Sequence, residues 1–292
     1  MNTRHLLLAA CCLLAACANR PSDSPLIHAH RGGAALYPEN TLPAMLHAVD
    51  LGVPVLEMDM HVTRDSQVVT SHDAYLNPVK ALMPDGSGIP PGCDSIYIYS
   101  MDYDSLARYD VGSRPNPAFP HRKSLPCRVP RIGELIDSVE HYVARKGLAP
   151  VSYNIEIKSS PRKDSICTPD YRTFADLCMQ ELLIHDLGDR LLVQCFDPRA
   201  LNYVHGRYPD VRLSYLVEDT VASFGELMSR LDFVPQVISP HYSMVDADFM
   251  DEARKLNMEV APWTVDDPKE AERLTRLGVD AIITNDPPAL MK

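Results

Sequence analysis

The sequence predicts a TIM (β/α)₈ barrel with an insertion over the C-terminal mouth, and three observations support this fold class. Short apolar runs of the length of buried parallel strands recur along the chain, most of them separated by segments with helical periodicity. Eight such runs fit one α/β domain of this length. No GxGxxG motif opens a helix, which disfavours the alternative of a doubly wound open sheet. The eight predicted strands cover residues 26–30, 53–60, 151–158, 191–196, 211–217, 235–240, 258–263 and 280–284.

Apolar residues at i, i+3, i+4 and i+7 predict the helices between these strands. After the first strand, Leu42, Met45, Leu46 and Val49 have this spacing, and Gly52 is placed to end the helix. The same pattern recurs before the third strand, at Ile132, Leu135, Ile136 and Val139.

Residues 74–130 interrupt the alternation of strands and helices. They contain nine prolines, five tyrosines and two cysteines, with little periodicity. A segment this long inside a compact domain is usually functional or disordered. The tyrosines and a candidate disulfide favour an ordered insertion over the mouth of the barrel.

The N-terminus resembles an export signal rather than part of the fold. Residues 1–17 combine Arg4 with an apolar run too short to cross a bilayer, and they end in Leu-Ala-Ala-Cys. This ending resembles a bacterial lipobox, which predicts lipidation of Cys17 and a membrane anchor, with a tether over 18–25 and the barrel over 26–292. Ala18 after the cysteine favours sorting to the outer membrane, facing the periplasm. An ordinary secretory signal cleaved near Ala18 is the alternative.

Charge and cysteine content narrow the class of protein further. The net charge is −11 and no basic run occurs, so nucleic acid is not an expected partner, and an anionic substrate would need positive charge at its site. Five cysteines follow the leader, none with the spacing of a zinc site. Because an exported protein permits disulfides, we expect Cys93–Cys127 and Cys167–Cys178, with Cys195 as a buried thiol. The sequence does not indicate an oligomeric state.

Acidic residues cluster at the ends of two predicted strands. Residues two apart in a strand share a face, so Glu57 and Asp59 point the same way, as do Glu156 and Lys158. Barrel enzymes place their sites at these strand ends. Three carboxylates buried together are costly without a cation, which predicts one divalent ion, Ca²⁺ or Mg²⁺, held by Glu57, Asp59 and Glu156. The alternative is a salt-bridge network in which Glu57 and Asp59 pair with Arg31 and Lys158.

Two histidines and two permanent cations complete the predicted site. His30 ends the first strand, and His72 follows a short extended run, 67–71, that can fold back beside the second strand. Such a pair can take a proton from an attacking hydroxyl and give one to a leaving oxygen. Arg31 and Lys158 would neutralise an anion, Arg31 with a planar fork suited to phosphate. The combination predicts cleavage of a phosphodiester.

Eight motifs in order along the chain resemble the glycerophosphodiester phosphodiesterase family. They are AHRG (29–32), PENT (38–41), LEMDMHVTRDSQVVTSHD (56–73), VPRIGELID (129–137), NIEIK (154–158), QCFDP (194–198), APWTVDD (261–267) and GVDAIITNDP (278–287). The resemblance implies a TIM barrel that hydrolyses glycerophosphodiesters to glycerol 3-phosphate and an alcohol. It implies the same metal ligands, acid–base histidines and phosphate-binding cations. In the implied mechanism the glycerol 2-hydroxyl attacks phosphorus, the alcohol leaves and water opens the cyclic phosphate. The insertion would cap the site and help choose the substrate.

Three further residues are predicted to contact the substrate, and two of them have a structural alternative. Trp263 would form an apolar wall for the glycerol carbons, or be a core aromatic residue. Phe196 would line the same pocket, but its position favours packing. Gln194 would donate a hydrogen bond at the mouth. His241 is a weaker candidate for a substrate contact, because loop histidines are often merely solvated.

The loop after the first strand is expected to be supported by its own residues. Glu39 and Asn40 would brace the loop and cap the next helix. Gly32 and Gly33 would let the backbone approach the ligand, since neither has a Cβ atom. His28, one layer deeper than His30, is expected to be a hydrogen-bonded barrel residue.

Two other functions remain open from the sequence. The same site could act on a lysophospholipid or an intact lipid, in the manner of related phospholipase D-like barrels. A non-catalytic envelope lipoprotein is a third interpretation, which the presence of all seven candidate residues opposes.

Overall fold

The structure is a computed structural model that describes residues 24–93 and 95–291. The predicted signal peptide, Cys17 and most of the tether lie outside the described residues. Within the described ranges, no helix is both long and apolar enough to cross a bilayer.

Eight parallel strands form a nearly closed barrel, which confirms the predicted TIM-barrel fold. The strands are β1 Leu26–Ala29, β2 Val55–Val62, β3 Val68–Thr70, β4 Ser152–Ile157, β5 Leu191–Cys195, β6 Arg212–Val217, β7 Val237–Pro240, β8 Glu259–Val260 and β9 Ala281–Thr284. The hydrogen-bonded order is β8-β7-β6-β5-β4-β2-β1-β9, and β3 pairs antiparallel with β2 as the predicted hairpin.

The seventh strand of the barrel, β8, is shorter than the 258–263 predicted for it. Pro262 has no N–H to continue a regular ladder. The chain nevertheless stays extended and closes the barrel, because Asp280 N–H donates to the Val260 carbonyl and Ile283 N–H donates to that of Pro262, both at 3.0 Å.

Helices follow the strands and cover the outside of the barrel. The two predicted helices are present as α1 (Leu42–Asp50) and α3 (Ile132–Lys146), and their apolar faces are buried against the strands. Gly52 lies just after α1 with φ +78°, where glycine is the residue that adopts this conformation without strain. The helices are α1 Leu42–Asp50, α2 Tyr103–Leu106, α3 Ile132–Lys146, α4 Tyr171–Leu183, α5 Pro198–Arg207, α6 Phe224–Met228, α7 Ala247–Lys255, α8 Pro268–Leu277 and α9 Pro287–Leu290.

The insertion has a small core of its own. Leu76, Ile89, Ile98 and Leu106 pack together with Val69 of β3, so this core joins the barrel at the hairpin. The Tyr103 hydroxyl donates to the Val129 carbonyl at 3.2 Å and ties the middle of the segment to its C-terminal end. The described part of 74–130 is therefore a packed unit attached to the barrel at the hairpin.

The predicted disulfides are wrong. Cys93, Cys127, Cys167 and Cys178 are all free thiols. Cys178 faces the main core from α4, whereas Cys167 lies in the loop before that helix and outside the core. Cys195 is a buried thiol, as expected, and its Sγ donates to the Ile157 carbonyl at 3.1 Å. Apolar packing thus orders these segments without covalent links.

Candidate active site

The strand register brings the three predicted metal ligands together. In the parallel pair β2–β4, Asp59 lies opposite Glu156, and Glu57 is on the same face of β2 two residues earlier. All three side chains are buried, and each offers an oxygen within 4.8 Å of the others.

The two predicted cations also lie at this cluster. Lys158 Nζ is 3.0 Å from Glu156 Oε1 and 3.5 Å from Asp59 Oδ1. Arg31 Nε is 3.5 Å from Asp59 Oδ2. Part of the salt-bridge alternative is therefore correct, but among the described residues Glu57 receives hydrogen bonds only from the Arg31 backbone N–H, at 2.7 Å, and from Gln194, at 2.9 Å.

The chemistry of the cluster fits a hard divalent cation. Three buried carboxylates face two cations, and Arg31 is shared with a fourth carboxylate, that of Glu39, at 3.2 Å. Asp59 Oδ1 is buried and accepts no hydrogen bond from the described residues, although Lys158 Nζ lies 3.5 Å away as an ion-pair partner. Burial and the neighbouring carboxylates raise the pKa of Glu57 well above its usual value, and burial raises that of Glu156 to about 7. Surplus carboxyl groups and a buried oxygen that accepts no hydrogen bond are what a bound cation would satisfy.

His30 is held in place by Asn285, which is itself held by Asp266. Its Nδ1 lies 2.7 Å from Asn285 Oδ1, so Nδ1 carries the proton and Nε2 is left unprotonated, 4.0 Å from Glu57 Oε2. Asn285 in turn donates its side-chain and backbone N–H groups to the Asp266 carboxylate, both at 2.8 Å. Burial, with Arg31 alongside, lowers the pKa of His30 to about 3.

His72 is held by a carboxylate instead. Its Nδ1 lies 3.0 Å from Asp73 Oδ1, and Asp73 Oδ2 accepts from Asn77 and Lys80, both at 2.8 Å. Burial lowers the pKa of His72, but the carboxylates of Asp59 and Asp73 oppose this effect. The backbone carbonyl of His72 lies 3.3 Å from Nε2 of the buried His61.

The turn that carries Arg31 is strained, and both of its glycines are required by the fold itself. Arg31 has φ +54°, an unusual value for a residue with a side chain. A Cβ on Gly32 would lie 2.8 Å from the Ala44 Cβ, so Gly32 permits close contact with α1. Gly33 has φ +91°, and its requirement is also conformational.

Glu39 and Asn40 brace the site, but Asn40 does not cap α1. The Asn40 side chain donates to Asp59 Oδ2 at 2.8 Å and accepts from the Asp59 N–H at 3.1 Å. The residue before α1 is Thr41, whose side chain makes no capping hydrogen bond. Asn40 therefore fixes a predicted metal ligand.

The site opens into a cavity of about 280 Å³. Six of the seven predicted site residues line it, namely His30, Arg31, Glu57, His72, Glu156 and Lys158. Asp59, the seventh, is joined to this group by its ion pairs. The structure thus brings all seven together.

The three predicted substrate contacts line the same cavity. Trp263 and Phe196 are half-buried and meet edge to face, with ring centroids 5.4 Å apart. The Trp263 indole N–H donates to the Ser239 carbonyl at 2.9 Å, which fixes the ring. Gln194 is buried, and its amide is bonded to Glu57 and Asn154. His241 stacks edge to face on Trp263 and holds the following turn through Ser243.

Sequence reasoning missed three residues that orient the site: Asn285, Asp73 and Lys80. Asn285 and Asp73 lie within motifs that resemble the family, so those motifs were a usable signal. Lys80 lies in the insertion, where no pattern marked it. His28 is buried and 3.3 Å from the Asn154 amide, as expected.

The barrel and its site define the class as a phosphodiesterase-like TIM barrel, and comparisons with known proteins give the family. The model of the glycerophosphoryl diester phosphodiesterase family matches residues 30–289, and the chain belongs to this family. A glycerophosphodiester phosphodiesterase of Caldanaerobacter subterraneus subsp. tengcongensis is 23% identical over 91% of this chain and 96% of its own.

Solved structures agree with this assignment. The crystal structure of a protein from Silicibacter pomeroyi DSS-3 aligns over 92% of this chain and 92% of its own, with 26% identity and a TM-score of 0.81. An Oleispira antarctica phosphodiesterase, solved in complex with the product sn-glycerol-3-phosphate, covers 91% of this chain and 95% of its own, with 23% identity and a TM-score of 0.71.

Proposed function

We propose that this protein hydrolyses glycerophosphodiesters to glycerol 3-phosphate and an alcohol, with two histidines as the acid–base pair and a divalent cation in the carboxylate cluster. The observation that carries the proposal is the convergence of His30 and His72 on one cavity that Arg31 and Lys158 also line. Family membership and the product named for the Oleispira antarctica phosphodiesterase support the substrate class.

Glu57, Asp59 and Glu156 would hold the cation, which we propose to be Ca²⁺ or Mg²⁺ because both prefer carboxylate oxygen. When bound, the cation supplies positive charge that polarises a phosphoryl oxygen. Arg31 and Lys158 contribute fixed positive charge to the same phosphate.

The different Nδ1 partners of the two histidines suggest different roles. His30 is bonded to a neutral amide and lies beside Arg31, so it stays neutral and its Nε2 can accept the proton of the glycerol 2-hydroxyl as the new O–P bond forms. His72 is bonded to a carboxylate, which opposes the lowering of its pKa by burial and so favours protonation of this ring. Its Nε2 then gives a proton to the leaving alcohol as that P–O bond breaks. Water opens the cyclic phosphate with the roles reversed.

Substrate selection would fall to the apolar part of the cavity wall. Trp263 and Phe196 present apolar surface suited to the glycerol carbons. Gln194 would contribute its remaining N–H, and the insertion would cap the site.

The test is release of glycerol 3-phosphate from glycerophosphocholine by the protein without its leader. Activity should vanish with EDTA and return with Ca²⁺ or Mg²⁺. His30→Ala should lower kcat by about 10²–10⁴-fold, whereas His141→Ala, which removes an exposed histidine of α3, should not. Full turnover by His30→Ala would contradict the acid–base assignment.

A panel of substrates separates the alternatives. Faster hydrolysis of a lysophospholipid than of glycerophosphocholine would favour the phospholipase D-like function. Failure to hydrolyse any diester with any divalent cation would favour the non-catalytic lipoprotein.

We also propose that the protein is exported and anchored through a lipid on Cys17, facing the periplasm. The lipobox-like ending of residues 1–17 supports this. Metabolic labelling with a fatty acid and membrane fractionation should show a labelled, membrane-bound protein. Cys17→Ser should abolish both, and a wild-type protein recovered unlabelled in the soluble fraction would contradict the proposal.

A further inference from the structure

Lys80 belongs to the insertion, yet its side chain contacts two carboxylates that support residues of the active site. Its Nζ lies 2.8 Å from Glu39 Oε1 and 2.8 Å from Asp73 Oδ2. It is 18% exposed, so both contacts are largely shielded from solvent.

Each carboxylate that Lys80 contacts holds one residue of the site. Glu39 Oε1 also accepts from Arg31 Nη1 at 3.2 Å, and Asp73 Oδ1 is the partner of His72 Nδ1 at 3.0 Å. One ammonium group therefore links the guanidinium of the phosphate site to the imidazole of the proposed acid through two carboxylates.

We propose that Lys80 is a positioning residue that couples the insertion to the active site, holding Glu39 behind Arg31 and Asp73 behind His72. This inference rests on the proposed function, since it assigns Lys80 a role in that reaction. It gives the insertion a part in catalysis even though none of its described residues lines the cavity.

The electrostatics of the chain support this role. Although burial acts in the opposite direction, Arg31 and Lys80 hold the pKa of Glu39 below its usual value, and His72 and Lys80 do the same for Asp73. Without Lys80, two largely buried carboxylates would lie near each other with one cation fewer. Each would then be free to shift or to take a proton.

The two carboxylates predict different kinetic effects. Glu39→Gln should mainly raise KM, because it weakens the contact that positions Arg31, the residue proposed to bind the phosphate. Asp73→Asn should mainly lower kcat, because it weakens the partner of the proposed acid. Lys80→Met should do both, lowering kcat by about tenfold and raising KM by about fivefold. Lys80→Arg, which keeps the charge, should restore most of the activity.

Double variants test whether Lys80 acts through these carboxylates. Lys80→Met added to Asp73→Asn should lower kcat by less than about twofold beyond Asp73→Asn alone, since residues in one network are not additive. Fully multiplicative effects would overturn the inference.

Two control variants separate positioning from charge and from stability. Lys123→Met removes the same charge from the insertion, but the Lys123 ammonium donates to the Tyr37 hydroxyl, at 3.3 Å, and to no carboxylate of this network, so kcat and KM should stay unchanged. Leu106→Ala opens the core of the insertion and should lower Tm while leaving both constants near wild type. Equal kinetic losses in Leu106→Ala and Lys80→Met would mean that Lys80 only stabilises the insertion.

A binding measurement keeps this inference distinct from the proposed function. If the wild-type protein cleaves no diester, the proposed function fails. Calorimetry with glycerol 3-phosphate then still tests the Arg31 side, where Lys80→Met should weaken binding several-fold. Unchanged affinity, or kcat and KM of Lys80→Met within twofold of wild type, would overturn the inference.

Discussion

Asn285 links the last strand of the barrel to the first, and its removal should reduce catalysis more than stability. Asn285→Ala deletes the 2.7 Å hydrogen bond to His30 Nδ1 and the 2.8 Å hydrogen bond to Asp266. A buried donor left without a partner costs about 1–3 kcal/mol unless the ring turns to find one. Turning the ring carries Nε2 away from the cavity. A change of about 1.4 kcal/mol in the activation free energy corresponds to a tenfold change in rate, so kcat should fall roughly 10- to 100-fold.

The assay is steady-state hydrolysis of glycerophosphocholine, with thermal unfolding of each variant measured in parallel. Asn202→Ala is a matched control, because the Asn202 amide also makes two hydrogen bonds, to Arg230 and Asp232, but away from the site. Both variants should lose similar stability, and only Asn285→Ala should lose kcat. If Asn285→Ala kept kcat within twofold of wild type, the orienting role would be refuted.

Three further predictions follow from packing, burial and charge. Gly32→Ala should lower the free energy of unfolding by about 1–3 kcal/mol more than Gly52→Ala, since both have positive φ but only Gly32 meets Ala44; equal losses would contradict this. Burial, with Arg212, lowers the pKa of His28 from 6.5 to about 4, so the unfolded chain binds this proton first as pH falls. Between pH 7 and pH 4.5, the free energy of unfolding measured with urea should fall by about 2–3 kcal/mol more for wild type than for His28→Gln. Equal falls in the two proteins would count against a neutral buried His28. Glu156→Gln should melt no lower than wild type in EDTA but gain less Tm from Ca²⁺ or Mg²⁺, and equal gains would exclude Glu156 as a ligand.

Much of the barrel could be predicted because its strands are buried on both faces. Runs such as 151–158 and 280–284 are short and apolar, and the segments between them have helical periodicity. The prediction failed where one residue changes the hydrogen bonding, as at Pro262, or where pairing depends on distance, as for the cysteines. No local pattern states how far apart two thiols will lie.

The site was predictable to the extent that its chemistry lies on strands. Glu57, Asp59 and Glu156 follow from the two-residue period and from parallel register. The strand period and register do not predict Asn285 or Lys80, because these residues meet the site across 255 and 41 residues of chain, respectively, and depend on barrel closure and on the fold of the insertion. The residues that react were marked by their type, whereas those that orient them were fixed by tertiary structure.

The charges at the mouth explain why these features occur together. The ion pairs around the cavity join four carboxylates, those of Asp59, Glu156, Glu39 and Asp73, to three permanent cations of the described residues, Arg31, Lys158 and Lys80, and Glu57 adds a fifth carboxyl group without a salt bridge to any of them. A phosphodiester adds one more negative charge. Without a divalent cation, the anionic substrate would enter a site that is already negative, where repulsion opposes binding. The affinity for glycerol 3-phosphate should therefore rise with the occupancy of the carboxylate cluster, and equal affinity with Ca²⁺ and with EDTA would show that the fixed cations alone are sufficient.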